Sequence, residues 1–147
     1  MWNGLEPSAH RFHSVMCDTA MPSIEIEQTN PAHQWTIPVC WRSDVSGPAQ
    51  CTVLKTSKTE ISLPRGSHCP AWLYLNARAT GYYRTEWTAA QLSALPLNQL
   101  TPAEKLMLVY DLRALKDRLN VSDLLTKLSA DTEPEISKAA SEALASK

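Results

Sequence analysis

The sequence predicts an α+β fold: an antiparallel β-sandwich followed by a small set of packed α-helices that begin a HEAT-like helical domain. Between residues 23 and 87, six short runs rich in β-branched and aromatic residues are separated by turn residues, which is typical of a sandwich. From residue 101 onward, apolar residues recur at helical spacing behind helix-start signals. Strands therefore precede helices along the chain.

Composition favours a folded chain without nucleic-acid or membrane partners. The 147 residues are 44% hydrophobic, enough for one ordinary domain or for a small sandwich with the beginning of another domain. The formal net charge is -1, and no block of like charges forms a basic face or an acidic tail. No apolar run approaches the roughly 20 residues of a transmembrane helix. We therefore expect a cytoplasmic protein.

Neither the N-terminal segment nor the cysteines receive a role from the sequence. Residues 1–22 show no helical or strand periodicity and are left unassigned. The four cysteines contain no Cys-x-x-Cys pair and would allow three disulfide connectivities. Because free cysteine usually behaves as a small buried hydrophobe, buried free thiols are the favoured interpretation. The cysteines are Cys17, Cys40, Cys51 and Cys69.

Six strands are predicted, at residues 23–27, 35–41, 51–54, 60–63, 71–76 and 81–87. The first run alternates Ile with Glu, so one of its faces should be solvent-exposed. Pro38 lacks a backbone donor, and its strand should lie at a sheet edge or carry a bulge there. In the last run, Tyr83 is expected in the core, while Tyr82 and Arg84 share the other face.

Helices are predicted from residue 88 onward. A short one covers residues 88–95, and a longer one starts at Thr101, where Thr101 and Glu104 form a capping box and Pro102 occupies the first turn. Its apolar face is formed by Leu108, Leu112, Leu115 and Leu119.

Two further helices are predicted, around residues 122–128 and from Thr132, which is expected to cap a helix with Pro134 in its first turn. The small apolar face of the last helix resembles a HEAT-type repeat. One repeat cannot bury its own apolar face, so we expect a helical-repeat domain that is truncated at residue 147.

Three stretches of sequence carry a family resemblance. Residues 35–39 read Trp-Thr-Ile-Pro-Val, and residues 71–76 read Ala-Trp-Leu-Tyr-Leu-Asn, with Thr-Gly-Tyr-Tyr-Arg at 80–84. Residues 108–111 read Leu-Val-Tyr-Asp after Leu-Thr-Pro at 100–102. In this order they resemble motifs of the gluzincin zinc aminopeptidases, the family of aminopeptidase N and puromycin-sensitive aminopeptidase. The resemblance covers roughly residues 23 to 145.

The resemblance implies a position outside the catalytic domain of such an enzyme. Residues 23–95 would form the β-sandwich domain and residues 96–147 the start of the helical domain. The partners implied are the catalytic domain and the remaining helical domain of the parent, with peptide substrate involved indirectly. Asp111 is expected to be solvated or to pair with Arg113 or Arg118. The motif residues, to which a structural role is assigned, are Trp35, Ile37, Pro38, Val39, Trp72, Leu75, Asn76, Gly81, Tyr82, Tyr83, Arg84 and Asp111.

The catalytic residues of that family are absent from the chain. Its zinc chemistry needs two histidines one helical turn apart, a Glu beside the first and a further Glu ligand. None of the four histidines is followed by Glu, and the family's Gly-x-Met-Glu-Asn motif is missing. We therefore predict no catalytic residue, no metal ligand and no cofactor in this chain, with zinc expected on the missing catalytic domain of the parent.

Two weaker patterns leave other chemistry open. His10 and His13 with Cys17 could place metal ligands on a helix, and His68 with Cys69 could supply two more, although no usual zinc spacing is matched. As a nucleophile and base, Cys69 and His68 would point to opposite faces of a strand. Surface or loop positions are the favoured interpretation of these residues.

The function predicted from the sequence is that of a non-catalytic region of a zinc-dependent aminopeptidase, which removes N-terminal residues from peptides. The region would support the catalytic domain and link it to the helical domain. The alternative is a stand-alone protein-interaction module without enzymatic activity, whose partner would bind the apolar helix faces of residues 101–145. A small enzyme built on Cys69 or on a His/Cys metal site is motivated by the residue types alone.

Overall fold

The chain forms an α+β structure, as predicted. A computed structural model describes residues 8–16, 23–28, 37–44, 49–54, 58–62, 70–77 and 83–146. The chain divides into two compact units, 1–86 and 87–147. The division predicted from the sequence falls after residue 95, whereas the helix at Ala89–Ala94 belongs to the second compact unit.

The first unit contains two small sheets. One has the strand order β5-β2-β1-β7 and the other the order β4-β3-β6. All described pairs are antiparallel except β1 with β7, which run parallel. The strands are β1 (Ser8–Met16), β2 (Ser23–Gln28), β3 (Ile37–Ser43), β4 (Gln50–Leu54), β5 (Lys58–Ser62), β6 (Leu73–Leu75) and β7 (Tyr83–Thr85).

Strand β1 lies in the segment of residues 1–22 that the sequence left unassigned. It lies between β2 and β7, and a register shift between His13 and Met16 inserts one extra residue, as in a β-bulge. It pairs with a strand on each side, and its sequence shows no strand period. The partners of β1 come from positions up to Thr85, which local periodicity cannot reveal.

Pro38 lies in β3, the middle strand of the described sheet, and the register with β4 is regular, so the prediction of an edge strand or of a bulge at Pro38 is wrong. Pro38 is opposite Val53 of β4, two residues from the Cys40–Cys51 pair, whose Cα atoms are 4.0 Å apart. Such a short Cα–Cα distance is typical of a non-hydrogen-bonded pair. Because hydrogen-bonded and non-hydrogen-bonded pairs alternate along an antiparallel ladder, Pro38–Val53 is also a non-hydrogen-bonded pair. The backbone of Pro38 therefore faces the β6 side, where described pairing is confined to Trp41–Ser43. A proline is tolerated in this middle strand because its backbone does not face β4.

The prediction of buried free thiols is wrong for two of the four cysteines. Cys40 and Cys51 form a disulfide between β3 and β4 and are not buried free thiols. Cys51 is exposed and Cys40 is half-buried. Cys17 and Cys69 lie outside the described residues.

The second unit consists of four helices and a short 3-10 helix at Leu97–Gln99. Two capping boxes start helices: Thr88 with Gln91, and, as predicted, Thr101 with Glu104. In each, the hydroxyl accepts from the backbone N–H three residues on, and the longer side chain accepts from the cap's own N–H. The helices are α1 (Ala89–Ala94), α2 (Pro102–Leu115), α3 (Ser122–Ser129) and α4 (Pro134–Ala145).

Helices α2, α3 and α4 pack on one another around an aliphatic core. The predicted stripe of α2 is buried from Leu108 to Leu115, whereas Leu119 lies beyond the helix end and is half-buried. Burying each large aliphatic side chain contributes about 1.5 to 3 kcal/mol. The buried residues that α3 and α4 contribute are Leu125, Leu128, Ile136, Ala140 and Ala143.

The start of α4 differs from the predicted capping box. The N-cap is Glu133, whose side chain makes no capping hydrogen bond, and Thr132 is exposed. Asp131 accepts a hydrogen bond from the Glu133 N–H through Oδ1, at 2.9 Å. Pro134 stands in the first turn, as predicted, so the helix starts one residue later than the Thr132 pattern indicates.

Candidate functional site

Asp111 is a buried carboxylate in the middle of α2. It is 4% exposed, and its Oδ2 accepts a hydrogen bond from the indole Nε1–H of Trp87 at 3.2 Å. Trp87 is itself 3% exposed. A buried carboxylate needs such donors, because an unsatisfied one costs several kcal/mol. The hydrogen bond joins Trp87, two residues before α1, to helix α2.

The expectation that Asp111 is solvated is wrong. Within the described part of the chain, neither Arg113 nor Arg118 forms a hydrogen bond or an ion pair with it, and both are exposed. Asp111 lies three residues after Leu108, so it is on the apolar stripe of α2 that packs into the unit. An acidic residue on such a stripe indicates a buried polar partner, so the sequence contains a signal for the burial of Asp111.

The motif at residues 71–76 includes strand β6 and ends at Asn76, directly after the strand. Leu75 is fully buried, and Asn76 is 3% exposed with φ of 67°, the left-handed region. Asn is one of the few non-glycine residues that enter this region at low cost. Half-buried Trp72 lies beneath the Arg42 guanidinium, 5.7 Å from ring centroid to Cζ.

The structure describes residues 37–39 of the strand motif at residues 35–39. Val39 is fully buried on one face of β3, beside Trp41 on the same face. The indole N–H of Trp41 is buried and has no hydrogen-bond partner among the described residues. A buried unsatisfied donor costs about 1 to 3 kcal/mol, so an acceptor reaching this position would stabilise the sheet.

The remaining motif residues are described in part or not at all. Ile37 opens β3, and Tyr83 and Arg84 lie in β7, where the structure describes their backbone. The predicted faces of Tyr82, Tyr83 and Arg84 are therefore untested. Trp35, Gly81 and Tyr82 lie outside the described residues.

The described residues contain no group of three or more His, Cys, Asp or Glu side chains that could hold a metal ion. His10 and His13 lie on strand β1, so the hypothesis of ligands spaced along a helix is wrong. Cys17, His68 and Cys69 lie outside the described residues. As for membranes, no helix in the described ranges combines the length and the apolar character needed to cross one.

Two lysines organise charge in the second unit. Lys105 donates to Asp131 Oδ2 at 2.8 Å, and this hydrogen bond, with the one from the Glu133 N–H, holds the pKa of Asp131 below its ordinary 3.8. Lys116 donates to the carbonyl oxygens of Ala143, at 2.6 Å, and of Ser146. Since α4 has no basic residue in its last turn, Lys116 supplies the cation that its terminal carbonyls favour.

A groove of about 230 Å³ opens in the second unit along α1 and the start of α3. Its apolar lining carries one acidic and one basic residue, Asp123 and Lys127. Ligand pockets usually have volumes of about 300 to 1,000 Å³, so the groove is small for a substrate site. Its leucines are Leu92, Leu95, Leu97, Leu119 and Leu124.

In comparison with known proteins, no family model and no curated protein matches the chain. The features that sequence reasoning missed are long-range contacts. Trp87 contacts Asp111, Lys105 contacts Asp131, and Lys116 reaches the end of α4, each across 24 or more residues. Local sequence patterns do not reveal such pairs. The exception is the position of Asp111 on the apolar stripe of α2, which indicates that the residue has a buried polar partner.

Proposed function

We propose that this chain is a non-catalytic region of a zinc-dependent aminopeptidase, an enzyme that removes N-terminal residues from peptides. It supports the catalytic domain and links it to a helical domain. In this proposal the first unit is the β-sandwich and the second unit begins the HEAT-like helical domain. Zinc and the catalytic residues belong to the catalytic domain of the parent, and peptide substrate contacts this region indirectly.

The observation that carries the proposal is the burial of Asp111. This residue was singled out by the Leu-Val-Tyr-Asp motif, and it is 4% exposed and hydrogen-bonded to Trp87. A peptide substrate cannot reach such a carboxylate without unfolding the helical unit. Val39, Leu75 and Asn76, from the other two motifs, are equally buried. Motif residues with these surroundings support a scaffold role rather than a catalytic one.

The proposal includes a cytoplasmic location, which the disulfide constrains. Cytosolic thiols are kept reduced, and the disulfides found there are mostly transient, catalytic or redox-sensing. The Cys40–Cys51 bond must therefore be one of these in a cytoplasmic protein. A permanently oxidised structural bond would instead favour an extracytoplasmic compartment.

The reading frame around the coding sequence provides the first test. We expect a His-Glu-x-x-His motif upstream in the same frame, followed by a Glu ligand at helical spacing. Stop codons directly flanking both ends would contradict the proposal and favour the stand-alone interaction module. That module would bind its partner through the apolar helix faces of residues 101–145.

The second test uses the parent enzyme and the isolated chain side by side. Asp111→Asn in the parent should leave bound zinc and the kcat for an aminoacyl anilide unchanged while lowering the thermal midpoint. The isolated chain should release no anilide, with or without added zinc. Chelator-sensitive turnover by the isolated chain, or loss of zinc from the Asp111→Asn parent, would contradict the proposed role.

A further inference from the structure

The Cys40–Cys51 disulfide joins two residues that stand directly opposite each other in an antiparallel pair. Their Cα atoms are 4.0 Å apart, and 11 positions separate them in sequence. The strands also pair at Ile37–Leu54, Pro38–Val53, Val39–Thr52 and Trp41–Gln50. The register is therefore specified by several pairs besides the disulfide, and the two sulfurs remain neighbours if the bond opens.

The bond lies on the solvent side of the strand pair. Cys51 is exposed, and Pro38 and Val53, two residues away on the same face, are exposed as well. The other face of β3 is buried at Val39 and Trp41. Because the buried face holds β3 in place, a reagent can approach the disulfide from solvent without disturbing the apolar side of the sheet.

Strand β4 stands at the end of its sheet, with β3 as its single neighbour in the part of the sheet that the structure describes. Its side chains are exposed or half-buried from Gln50 to Val53. An edge strand of this kind has little buried area to hold it. The covalent bond to β3 therefore makes a large contribution to keeping β4 paired.

We propose that Cys40–Cys51 is a redox-responsive lock on the edge strand β4, which a dithiol opens while the sheet stays folded. A thiolate of the dithiol attacks Sγ of Cys51, the S–S bond breaks, and Cys40 leaves as a thiolate that takes a proton. The second thiol of the reagent then attacks the mixed disulfide and releases Cys51. The protein gains two thiols and the dithiol becomes a disulfide, so two electrons pass to the protein.

Opening the lock changes the mobility of β4 and not its register. In the reduced state β4 separates from β3 more often, exposing the backbone of a short edge strand to solvent, proteases or another strand. Reoxidation by a disulfide oxidant restores the lock, because register pairing keeps the two thiols opposite each other. The device works independently of whether the chain belongs to an aminopeptidase.

The first part of the test measures reduction of the bond in the folded chain. After alkylation, digestion with trypsin and Glu-C separates Cys40 (residues 28–42) from Cys17 and from Cys51 (residues 43–55). We expect a linked 28–42/43–55 species from air-oxidised protein. Dithiothreitol in native buffer should remove it at a rate within about tenfold of that in denaturant, because the bond is solvent-facing. Free Cys40 and Cys51 in the oxidised protein, or reduction in denaturant alone, would overturn the proposal.

The second part measures hydrogen exchange of β4. The Thr52 amide, which faces β3 by the alternation of the pair, should exchange about tenfold or more faster after reduction, because a cross-link of this loop length suppresses opening. The Cys40→Ser/Cys51→Ser double variant should show the faster rate without reductant. Amides of α2 serve as the internal control and should not change. Unchanged exchange at Thr52, or loss of protection throughout the first unit, would overturn the lock.

Discussion

Trp87 donates its indole N–H to the buried carboxylate of Asp111 at 3.2 Å. The two residues are 24 positions apart, and both are at most 4% exposed. The bond fixes the entry of the chain into the helical unit against the middle of α2. Buried carboxylates such as that of Asp111 are tolerated where hydrogen-bond donors satisfy them.

Removing the donor should destabilise the helical unit. Trp87→Phe keeps an aromatic side chain but withdraws the hydrogen bond to Asp111, and we expect a loss of about 1 to 3 kcal/mol in the free energy of unfolding. Urea denaturation followed by helical circular dichroism measures it. Tyr110→Phe, on the neighbouring residue, which is 45% exposed, is the matched control and should change stability by less than about 0.5 kcal/mol.

A double-mutant cycle separates the hydrogen bond from the loss of packing. With Asp111→Leu as the second substitution, which removes the acceptor oxygens, the coupling between positions 87 and 111 should be about 0.5 to 3 kcal/mol. Additive effects of Trp87→Phe and Asp111→Leu would show that the contact contributes nothing beyond the volume of the indole.

The Lys105–Asp131 pair should contribute to stability in a pH-dependent way. The pKa of Asp131 is lowered by the Lys105 hydrogen bond first and the Glu133 N–H second. A depressed folded-state pKa gives stability that is present above the unfolded value, near 3.8, and is lost as the pH falls through the lower folded value. Asp131→Asn should therefore cost about 1 kcal/mol at pH 7, and the difference from wild type should shrink below pH 4.

Denaturation curves at pH 7, 5, 4 and 2.5 test this dependence. Asp117→Asn, at an exposed carboxylate past the end of α2, is the control for a general charge effect. An Asp131→Asn penalty that does not shrink at all between pH 4 and pH 2.5 would contradict the linkage, since the stabilisation by a carboxylate with a lowered pKa decreases once the pH falls below about 3.8.

The two threonines that precede helices should respond differently to truncation. Thr101→Ala removes the hydroxyl that accepts from the Glu104 N–H at 3.1 Å and should cost about 1 kcal/mol. Thr132→Ala should be nearly neutral, because Thr132 is exposed and the N-cap of α4 is Glu133. Chemical denaturation of the two variants compares them directly. Equal penalties would indicate that Thr132 does cap α4 in solution.

The left-handed residue at the end of β6 should tolerate Gly better than Ala. Both Asn76→Gly and Asn76→Ala remove the amide, so their difference isolates the backbone conformation at φ of 67°. Gly enters this region freely, whereas Ala pays about 1 to 2 kcal/mol. We expect the thermal midpoint to fall further for Asn76→Ala. A lower midpoint for Asn76→Gly than for Asn76→Ala would contradict the left-handed assignment.

Helix starts were largely predictable, and the exception is informative. The start of α2 is predictable from Thr101, Pro102 and Glu104, because a capping box is complete within four residues. The same signal at Thr132 is wrong: the N-cap is Glu133, and the Glu133 N–H donates to Oδ1 of Asp131. Asp131 and Thr132 both lie at this helix start. Local sequence contains both and does not rank them, because the Lys105 contact that positions Asp131 comes from another helix.

The sequence by itself determined the α+β class, the existence of α1 to α4, and which face of α2 is apolar and packs into the core of the helical unit. These depend on hydrogen bonds and side-chain periods that close within about four residues. The tertiary structure decided that Ser8–Met16 is a strand between β2 and β7, that Cys40 is bonded to Cys51, and that Asp111 is buried against Trp87. Each of these features joins residues that are up to tens of positions apart in the sequence. The β1 pairing, the disulfide and the Trp87–Asp111 hydrogen bond therefore form only when folding brings those residues together.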